Sequence, residues 1–277
     1  MITNNKHLLY ILKIEKARLE YILEHLQDFY YFFKKPKIDK TTGKIRLNAD
    51  GEEEFRRINA PNEELKSIQE RIYRYMLTKV DLPDYIYGGV KGKNNIRNAR
   101  FHQGNKYIFT TDLKSFYPSI THTQVFQMFL REGCTPSVAR ILTKLTTLRG
   151  EVPQGTPTSL LIANLVFKPH GERLAQLATK YRTKFSMFVD DITISSKRDF
   201  KHLIPNFLKI IQDSGFKINH KKTHYQTKNP VITGVICQNN RLLAPNAAKK
   251  KLARLKKEES PNSAHGLENY IHSIELA

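Results

Sequence analysis

Residues 185–196 read FSMFVDDITISS and place two adjacent aspartates, Asp190 and Asp191, between two apolar runs. Apolar side chains alternate with other residues on both sides, which is typical of two short strands with the acids at or near the connecting turn. Two neighbouring carboxylates repel each other, so a buried or half-buried pair needs a cation. Oxygen ligands of this kind favour Mg²⁺ over softer metals. An isolated Asp-Asp pair is usually a plain turn, but the partners described below favour a magnesium site.

The charge of the chain indicates a polyanionic partner. Its 277 residues contain 46 Lys and Arg against 26 Asp and Glu, a net charge of +20. The basic residues cluster at 91–106, 217–228 and 249–257, which generic surface charge does not explain. Nucleic acid is the simplest partner of this kind. An anionic membrane surface is a rival, but no basic amphipathic segment stands out.

The remaining composition predicts a cytoplasmic protein with no membrane partner. Two cysteines, Cys134 and Cys237, support neither a zinc cluster nor a disulfide framework, and a reducing compartment is the simple interpretation. No apolar run reaches the length of about 18 residues that a membrane span needs. Glu15, Glu20 and Glu24 interrupt any signal-peptide pattern at the N-terminus.

The order of predicted elements indicates an α+β domain with an antiparallel sheet, since strands and helices mix without a regular βαβ repeat. A strand over 107–113 ends near Asp112, and residues 84–106 predict a loop near a polyanion. Periodicity and turn residues predict further helices and strands. The helices are expected over 6–33 (one or two), 62–79, 121–132, 136–148, 158–178, 199–214 and 246–257, and the strands near 231–237 and 241–244.

Asp112 is the candidate third acid, since it ends a predicted strand roughly 80 residues before the Asp190–Asp191 pair. If the strands pair, three carboxylates converge and could hold two Mg²⁺ ions about 4 Å apart. One ion would lower the pKa of an attacking 3′-hydroxyl. The other would stabilise a pyrophosphate leaving group.

Three stretches resemble motifs A, B and C of reverse transcriptases, in the right order. They are TDLKSFYPSI (111–120), VPQGTPTS (152–159) and FVDD (188–191). GFKIN (215–219) with KKT (221–223) resembles motif D, and the region around Arg56, Arg57 and Pro61 resembles the fingers motif. The resemblance covers roughly residues 25–277. It implies a right-hand polymerase fold with fingers, palm and a short helical thumb.

Two further stretches resemble signatures of bacterial retron enzymes. NARFH (98–102) matches their Asn-Ala-x-x-His signature, and ITG (232–234) resembles their Val-Thr-Gly signature. Motif C departs from the usual retron Tyr-Ala-Asp-Asp, since Phe188 and Val189 precede the acids. By resemblance, the fingers would span 1–106 and 121–160, the palm 107–120 and 161–240, and the thumb 241–277.

The resemblance also implies roles at the reaction centre. Asp112, Asp190 and Asp191 would hold two Mg²⁺ ions, with the Leu113 carbonyl as an additional ligand. Tyr117 would be the steric gate that rejects a 2′-hydroxyl and so selects dNTP substrates; the alternative is a core aromatic. Lys222 would protonate the leaving pyrophosphate, with Lys221 as the fallback and a solvated charge as the alternative.

Other positions would bind nucleotide or RNA. Arg57, helped by Arg56, would grip the triphosphate, and Gln154 and Gly155 would contact nucleotide and template. Asn98, His102, Thr233 and Gly234 would contact a structured RNA or shape its groove. A structural histidine is an equal alternative for His102. The residues expected to follow a duplex backbone from a basic thumb helix are Lys249, Lys250 and Arg254.

The function implied is RNA-directed DNA synthesis in a retron. The template and primer would be a structured noncoding RNA, primed from a 2′-hydroxyl, and the product would be an RNA–DNA hybrid carrying multicopy single-stranded DNA, in antiphage defence with an effector protein. One alternative is another defence-associated reverse transcriptase with protein-primed or template-independent synthesis. A second is an RNA–DNA scaffold that restrains a toxic effector.

Overall fold

The chain combines helices with short antiparallel strands in a computed structural model that describes residues 2–38, 45–48, 51–258 and 261–277. The strands are β1 (Tyr30–Pro36), β2 (Phe55–Pro61), β3 (Tyr107–Asp112), β4 (Lys184–Phe188), β5 (Asp191–Ser196), β6 (His224–Gln226), β7 (Val231–Ile232), β8 (Val235–Cys237) and β9 (Leu242–Leu243). The helices are α1 (Asn5–Leu12), α2 (Lys16–Glu24), α3 (Glu63–Tyr75), α4 (Asn95–His102), α5 (Phe116–Ser119), α6 (His122–Arg131), α7 (Pro136–Thr146), α8 (Ser159–Lys180), α9 (Ile204–Asp213), α10 (Asn246–Lys257) and α11 (Pro261–Glu275).

The main sheet has the strand order β4-β5-β3-β6, and its neighbouring strands are antiparallel. β4 and β5 form the expected hairpin, whose two-residue connection is Val189 and Asp190. Asp112 pairs with Asp191 across β3 and β5. The apolar alternation of the sequence thus becomes a buried sheet with the acids at one end, and the predicted α+β class is confirmed.

The outer edge of β4 is covered by the segment Tyr85–Gly88. The Tyr87 amide donates to the Met187 carbonyl at 2.8 Å, and the Met187 amide donates to the Tyr85 carbonyl at 2.8 Å. Ile86 forms a parallel bridge with Met187. These bonds satisfy backbone groups that an open sheet edge would leave unpaired.

A second sheet, of order β7-β8-β9, packs with α4, α10 and α11 around a shared apolar core. Its first hairpin turns at Thr233 (φ 46°) and Gly234 (φ 85°). Two consecutive positive φ angles match the twist of a tight hairpin, and glycine adopts this conformation without steric cost.

The chain divides into two compact units. Unit 1 comprises Met1–Lys35, Phe55–Pro83 and Ser115–Pro169, and contains β1, β2, α1–α3 and α5–α7. Unit 2 comprises Pro36–Glu54, Asp84–Lys114 and His170–Ala277, and contains the main sheet, the second sheet and α4. The division into fingers, palm and thumb remains a prediction. Residues 84–106, expected in the fingers, belong to unit 2 with the main sheet.

Two predicted elements were wrong in part. The stretch expected over 6–33 does form two helices, separated at Lys13 (φ 52°), but the second ends at Glu24. β1 begins at Tyr30 because an aromatic run pairs with β2. The expected loop over 84–106 contains α4. The Asn94 side chain accepts from the Arg97 amide at 2.8 Å and so caps its first turn. The basic helix expected over 246–257 is confirmed as α10.

Candidate active site

Three carboxylates converge at one end of the main sheet. Asp112 ends β3, Asp191 begins β5, and Asp190 lies in the hairpin turn. One carboxylate oxygen from each lies within 4.8 Å of the others. The Leu113 amide donates to the Asp190 carbonyl at 3.0 Å, which fastens the turn to the end of β3. The predicted convergence of the three acids is therefore present in the fold.

Both carboxylate oxygens of Asp112 are engaged by one short segment. Asn219 Nδ2 donates to Oδ1 at 3.0 Å, and Lys222 Nζ donates to Oδ2 at 2.6 Å. The Asn219 amide also donates to the Asp112 carbonyl at 2.8 Å. Sequence reasoning quoted Asn219 within a motif but gave it no role. Its signal was the resemblance to motif D that also singled out Lys222.

Negative charge is concentrated at this site. Asp112 is buried, and Lys222 neutralises it. Burial of Asp190, reinforced by the negative charge of Asp112, raises the pKa of the Asp190 carboxyl. Mg²⁺ prefers oxygen ligands such as carboxylates. A cation among these clustered acids would also offset their mutual repulsion. These residues therefore fit a divalent cation.

The turn that carries Asp190 is sterically constrained. Val189 has a φ of 60°, which is an outlier for a β-branched residue. Gly88 lies against this turn, and a Cβ at Gly88 would meet the Val189 amide nitrogen at 2.5 Å and its Cγ2 at 2.8 Å. Gly88 thus permits the close approach of the segment that covers β4. No sequence signal indicated this contact, because it depends on strand pairing.

In unit 1, three of the predicted nucleotide-binding residues lie close together. The Asn59 amide donates to the Gln154 carbonyl at 2.8 Å, and exposed Arg57 lies two residues earlier on β2. Gly155 has a φ of 105°, and a Cβ there would meet Ile58 Cγ2 at 2.9 Å. Glycine is therefore required here both for its conformation and for its small size.

Tyr117, the predicted steric gate, also lies in unit 1. It is half-buried in α5, and its ring centre lies 5.9 Å from that of Phe116. Phe116 is buried, and its ring centre lies 6.2 Å from that of buried Phe167. Phe116 therefore belongs to the core of unit 1, and Tyr117 packs beside it. The gate assignment remains a prediction.

A model of the family described as reverse transcriptase (RNA-dependent DNA polymerase) matches residues 34–249, more than half of the chain. The chain belongs to the reverse transcriptase family.

Curated relatives of this reverse transcriptase are named as retron enzymes. The retron Se72 reverse transcriptase of Salmonella heidelberg is 34% identical over 190 residues, 68% of this chain and 47% of that protein. The retron Ec86 reverse transcriptase of Escherichia coli is 32% identical over 175 residues, 62% of this chain and 54% of that protein. The chain spans about half the length of these relatives. The resemblance to retron-type reverse transcriptases is thus confirmed.

A solved structure of telomerase from Candida albicans, in complex with a fragment of telomeric RNA, is similar in fold. The match has a TM-score of 0.50 at 14% identity and covers 84% of this chain and 50% of that chain. Together with the family assignment, it confirms the right-hand polymerase fold.

The retron-like signature residues of this reverse transcriptase form a buried polar network in unit 2. Asn98 and His102 are completely buried on α4. His102 Nδ1 lies 2.7 Å from Ser195 Oγ, and His102 Nε2 lies 2.7 Å from Ser186 Oγ. This burial favours the structural alternative for His102, and the RNA-binding role of both residues remains a prediction. Shaping of a groove remains a prediction.

The donors and acceptors of this network determine the tautomer of His102. Ser186 Oγ donates to Asn98 Oδ1 at 2.6 Å, so Ser186 must accept from His102 Nε2–H. Asn105 Nδ2 donates to Ser195 Oγ at 2.7 Å, and the Ser195 hydroxyl can then donate to unprotonated Nδ1. Burial, with the nearby positive charge of Lys184, lowers the pKa of His102 to about 3. His102 is therefore a neutral structural histidine.

Thr233 connects this network to the second sheet. Asn98 Nδ2 donates to Thr233 Oγ1 at 3.4 Å, and Thr233 Oγ1 donates to the Asn95 carbonyl at 3.3 Å. Asn95 Nδ2 in turn donates to the Tyr270 hydroxyl on α11 at 2.6 Å. The two signatures thus fasten α4, the β7–β8 hairpin and α11 to one another.

The cations of α10 are exposed, as a role on a nucleic-acid backbone requires. Lys249 forms an ion pair with Glu275 at 2.9 Å, and Arg254 pairs with Glu258 at 3.4 Å. Lys250 has no ion-pair partner among the described residues. RNA binding by this helix remains a prediction. In the described ranges, no helix is both long and apolar enough to cross a membrane.

Proposed function

We propose that the protein is the RNA-directed DNA polymerase of a retron. The observation that carries the proposal is the convergence of Asp112, Asp190 and Asp191 within 4.8 Å in a chain of the reverse transcriptase family. The names of the curated relatives support the retron assignment. A scaffold that only held nucleic acid would have no need for three mutually repelling acids in a half-buried site.

The three acids, with the Leu113 carbonyl as an additional ligand, would hold two Mg²⁺ ions. Bound Mg²⁺ would supply an activated 3′-hydroxyl nucleophile and charge stabilisation for the leaving pyrophosphate. Lys222, already 2.6 Å from Asp112, would bring its ammonium proton to the leaving group.

Unit 1 would contribute to nucleotide selection. Arg57 would bind the triphosphate of a dNTP, and Gln154 and Gly155 would contact the nucleotide and template. Tyr117 would exclude a 2′-hydroxyl from the incoming sugar, which favours DNA synthesis. These roles rest on the resemblance of the motifs in which the residues lie.

The template would be a structured noncoding RNA, recognised in part through the basic helix α10, with Lys249, Lys250 and Arg254 on the nucleic-acid backbone. Synthesis would start from an RNA 2′-hydroxyl and yield multicopy single-stranded DNA joined to RNA, in the cytoplasm. An effector protein in antiphage defence would be a further partner.

The test is primer extension on an RNA template with a DNA primer, dNTPs and Mg²⁺. We expect extension by the wild-type protein and loss of extension in Asp190→Asn, with RNA binding retained. Because Asn219 and Lys222 hold Asp112 and not Asp190, this substitution leaves the Asp112 bonds in place. Loss of RNA binding together with activity would mean that the acids are structural. Nucleic acid that co-purifies with the protein, treated with debranching enzyme, tests 2′-hydroxyl priming.

A further inference from the structure

A surface cavity of about 600 Å³ lies in unit 2, away from the acids. Lys106 immediately precedes β3, and Lys228 lies two residues beyond the end of β6. Since Ile108 on β3 pairs with Gln226 on β6, both lysines lie at the same end of the main sheet. Asp112 ends β3 at the opposite end, about 20 Å from Lys106 at the usual rise per residue. This cavity is called the far-end pocket below.

The charge of the far-end pocket is uniformly positive. Its charged lining residues are Lys106, Lys228 and Arg241, and the described lining contains no Asp or Glu. Within the described part of the chain, none of the three takes part in an ion pair. Lys106 Nζ instead lies 5.4 Å from the centre of the Tyr107 ring. Unpaired cations around a cavity of this size favour an anionic ligand.

Five amide side chains also line the pocket, and some are held in place by hydrogen bonds. Gln238 Nε2 donates to Asn229 Oδ1 at 2.7 Å, and Arg241 Nε donates to Gln238 Oε1 at 2.9 Å. Asn105 on the same wall is held by its bond to Ser195. Asn240 adds a further amide. A site for a bare phosphate needs only donors, whereas amides supply donors and acceptors and so match the edge of a nucleobase.

We propose that the far-end pocket binds one unpaired nucleotide of an RNA loop. The phosphate would lie on Lys106, Lys228 and Arg241, and the base edge would contact Gln238 and Asn240. RNA loops present splayed-out bases to proteins in this way, and the cavity volume lies within the usual range of roughly 300–1,000 Å³ for ligand sites. The choice of RNA rests on the proposed function; the pocket itself rests on its charge and lining.

The test compares charge reversal in the pocket with charge reversal elsewhere. The pocket variant is Lys228→Glu with Arg241→Glu. The control is Lys6→Glu with Lys209→Glu, two exposed lysines on α1 and α9 that do not line the pocket. Both variants change the net charge equally, so long-range attraction of RNA falls by a similar amount in each. If the reversal lowers the melting temperature, the neutral variant Lys228→Gln with Arg241→Gln is compared with Lys6→Gln with Lys209→Gln instead.

The probe is a fluorescein-labelled RNA hairpin with an unpaired loop, and a fully paired RNA duplex is measured beside it. We expect the pocket variant to bind the looped hairpin on the order of tenfold more weakly than the control variant does. Its log-affinity slope against log salt should fall by about 0.7 for each phosphate that the variant no longer neutralises. Duplex binding should fall equally in both variants. Equal weakening on both RNAs, or hairpin binding as tight as that of the control, would overturn the proposal.

One further measurement distinguishes a free nucleotide from an RNA loop as the ligand. A second distinguishes failure of the pocket proposal from failure of the proposed polymerase function. If AMP alone saturates the wild-type pocket and displaces the hairpin, a free nucleotide is the ligand and the RNA assignment is wrong. Primer extension on a homopolymeric template should be the same in the pocket and control variants. Failure of extension in every variant would count against the proposed polymerase function, whereas hairpin binding reports on the pocket independently of synthesis.

Discussion

The β4–β5 hairpin contributes to two polar clusters that differ in charge: the repelling acids at its turn and the neutral network around His102 in its strands. At its turn, Asp190 and Asp191 lie beside Asp112, and burial, reinforced by the negative charge of Asp112, raises the pKa of Asp190. Within its strands, Ser186 and Ser195 hold neutral His102 in a network whose hydrogens can all be assigned. We expect an added cation to stabilise the acids, whereas the His102 network already has its hydrogen-bond partners.

The difference indicates how a motif residue serves function. Clustered carboxylates that repel one another and are partly exposed indicate a site for a cationic ligand. Buried polar side chains with matched donors and acceptors specify one arrangement of the core. By this criterion we expect the acids to act on substrate, and we expect Asn98 and His102 to fix the hairpin that carries the acids.

After the loss of synthesis expected for Asp190→Asn, the largest effect is expected for Lys222→Ala at the acid site. A general acid contributes roughly 10²–10⁴-fold to rate, so the rate of DNA synthesis should fall within this range. Stability should fall by about 1–2 kcal/mol, because the Asp112 side chain is only 6% exposed and would keep Asn219 but lose its counter-charge. Single-turnover incorporation and thermal unfolding measure the two quantities.

Lys221→Ala is the matched control, since Lys221 is an exposed neighbour in the same 3₁₀ turn, His220–Lys222. Equal loss of rate in both variants would contradict a specific role for Lys222. A large loss of stability in Lys222→Ala would place this residue with the structural network and so break the comparison.

His102→Ala should lower the stability of the protein more than it lowers the rate of DNA synthesis. It leaves the hydroxyls of Ser186 and Ser195 without their imidazole partner and opens a cavity, which should cost about 3 kcal/mol of unfolding free energy. The rate per folded molecule should change far less than in Lys222→Ala. Urea unfolding measures the cost, and His202→Ala, at an exposed histidine, is the control. A stability change no larger than that of His202→Ala would refute the structural assignment.

The pH dependence of stability tests the protonation state of His102. Its pKa is about 3 in the folded protein and 6.5 as a reference for the unfolded chain. The unfolded state therefore binds the extra proton first, and stability is lost as pH falls from 6.5 towards 3. Between pH 7 and pH 5 this one group should remove about 2 kcal/mol.

The measurement is the unfolding free energy of wild type and His102→Gln at both pH values. The wild-type protein should lose about 2 kcal/mol more than the variant does, because the other groups titrate alike in both. A difference near zero would mean that His102 is accessible to protons in the folded state, which would remove the contrast with the acids.

The acid site could be predicted from the sequence because its signals are local. Alternation on either side of Asp190 identified the hairpin, and a strand ending at Asp112 supplied the third acid. Lys222 followed from the resemblance of its segment to motif D. These features need no knowledge of distant contacts, and the strand register then placed Asp112 opposite Asp191.

The partners of these residues could not be predicted in the same way. His102 bonds to Ser186 and Ser195 across separations of 84 and 93 residues. The sequence left its structural and RNA-binding roles equally open, because burial depends on which strand lies against α4. The contact of Gly88 with Val189 likewise depends on the segment that covers the edge of β4.

Gly88→Ala tests whether that close contact positions the acid turn. Its new Cβ would meet the Val189 amide at 2.5 Å, and backbone cannot move aside as a flexible side chain does. We expect stability to fall by about 1–2 kcal/mol, as for other overpacked sites, and DNA synthesis to fall further than the folded fraction does. Gly266→Ala on α11, where a Cβ meets nothing within 4 Å, should instead gain up to about 1 kcal/mol. If Gly88→Ala loses stability but keeps its full rate per folded molecule, the turn tolerates displacement. The position of the acids would then depend on the Leu113–Asp190 hydrogen bond and on the pairing of β5 with β3, and not on the contact with Gly88.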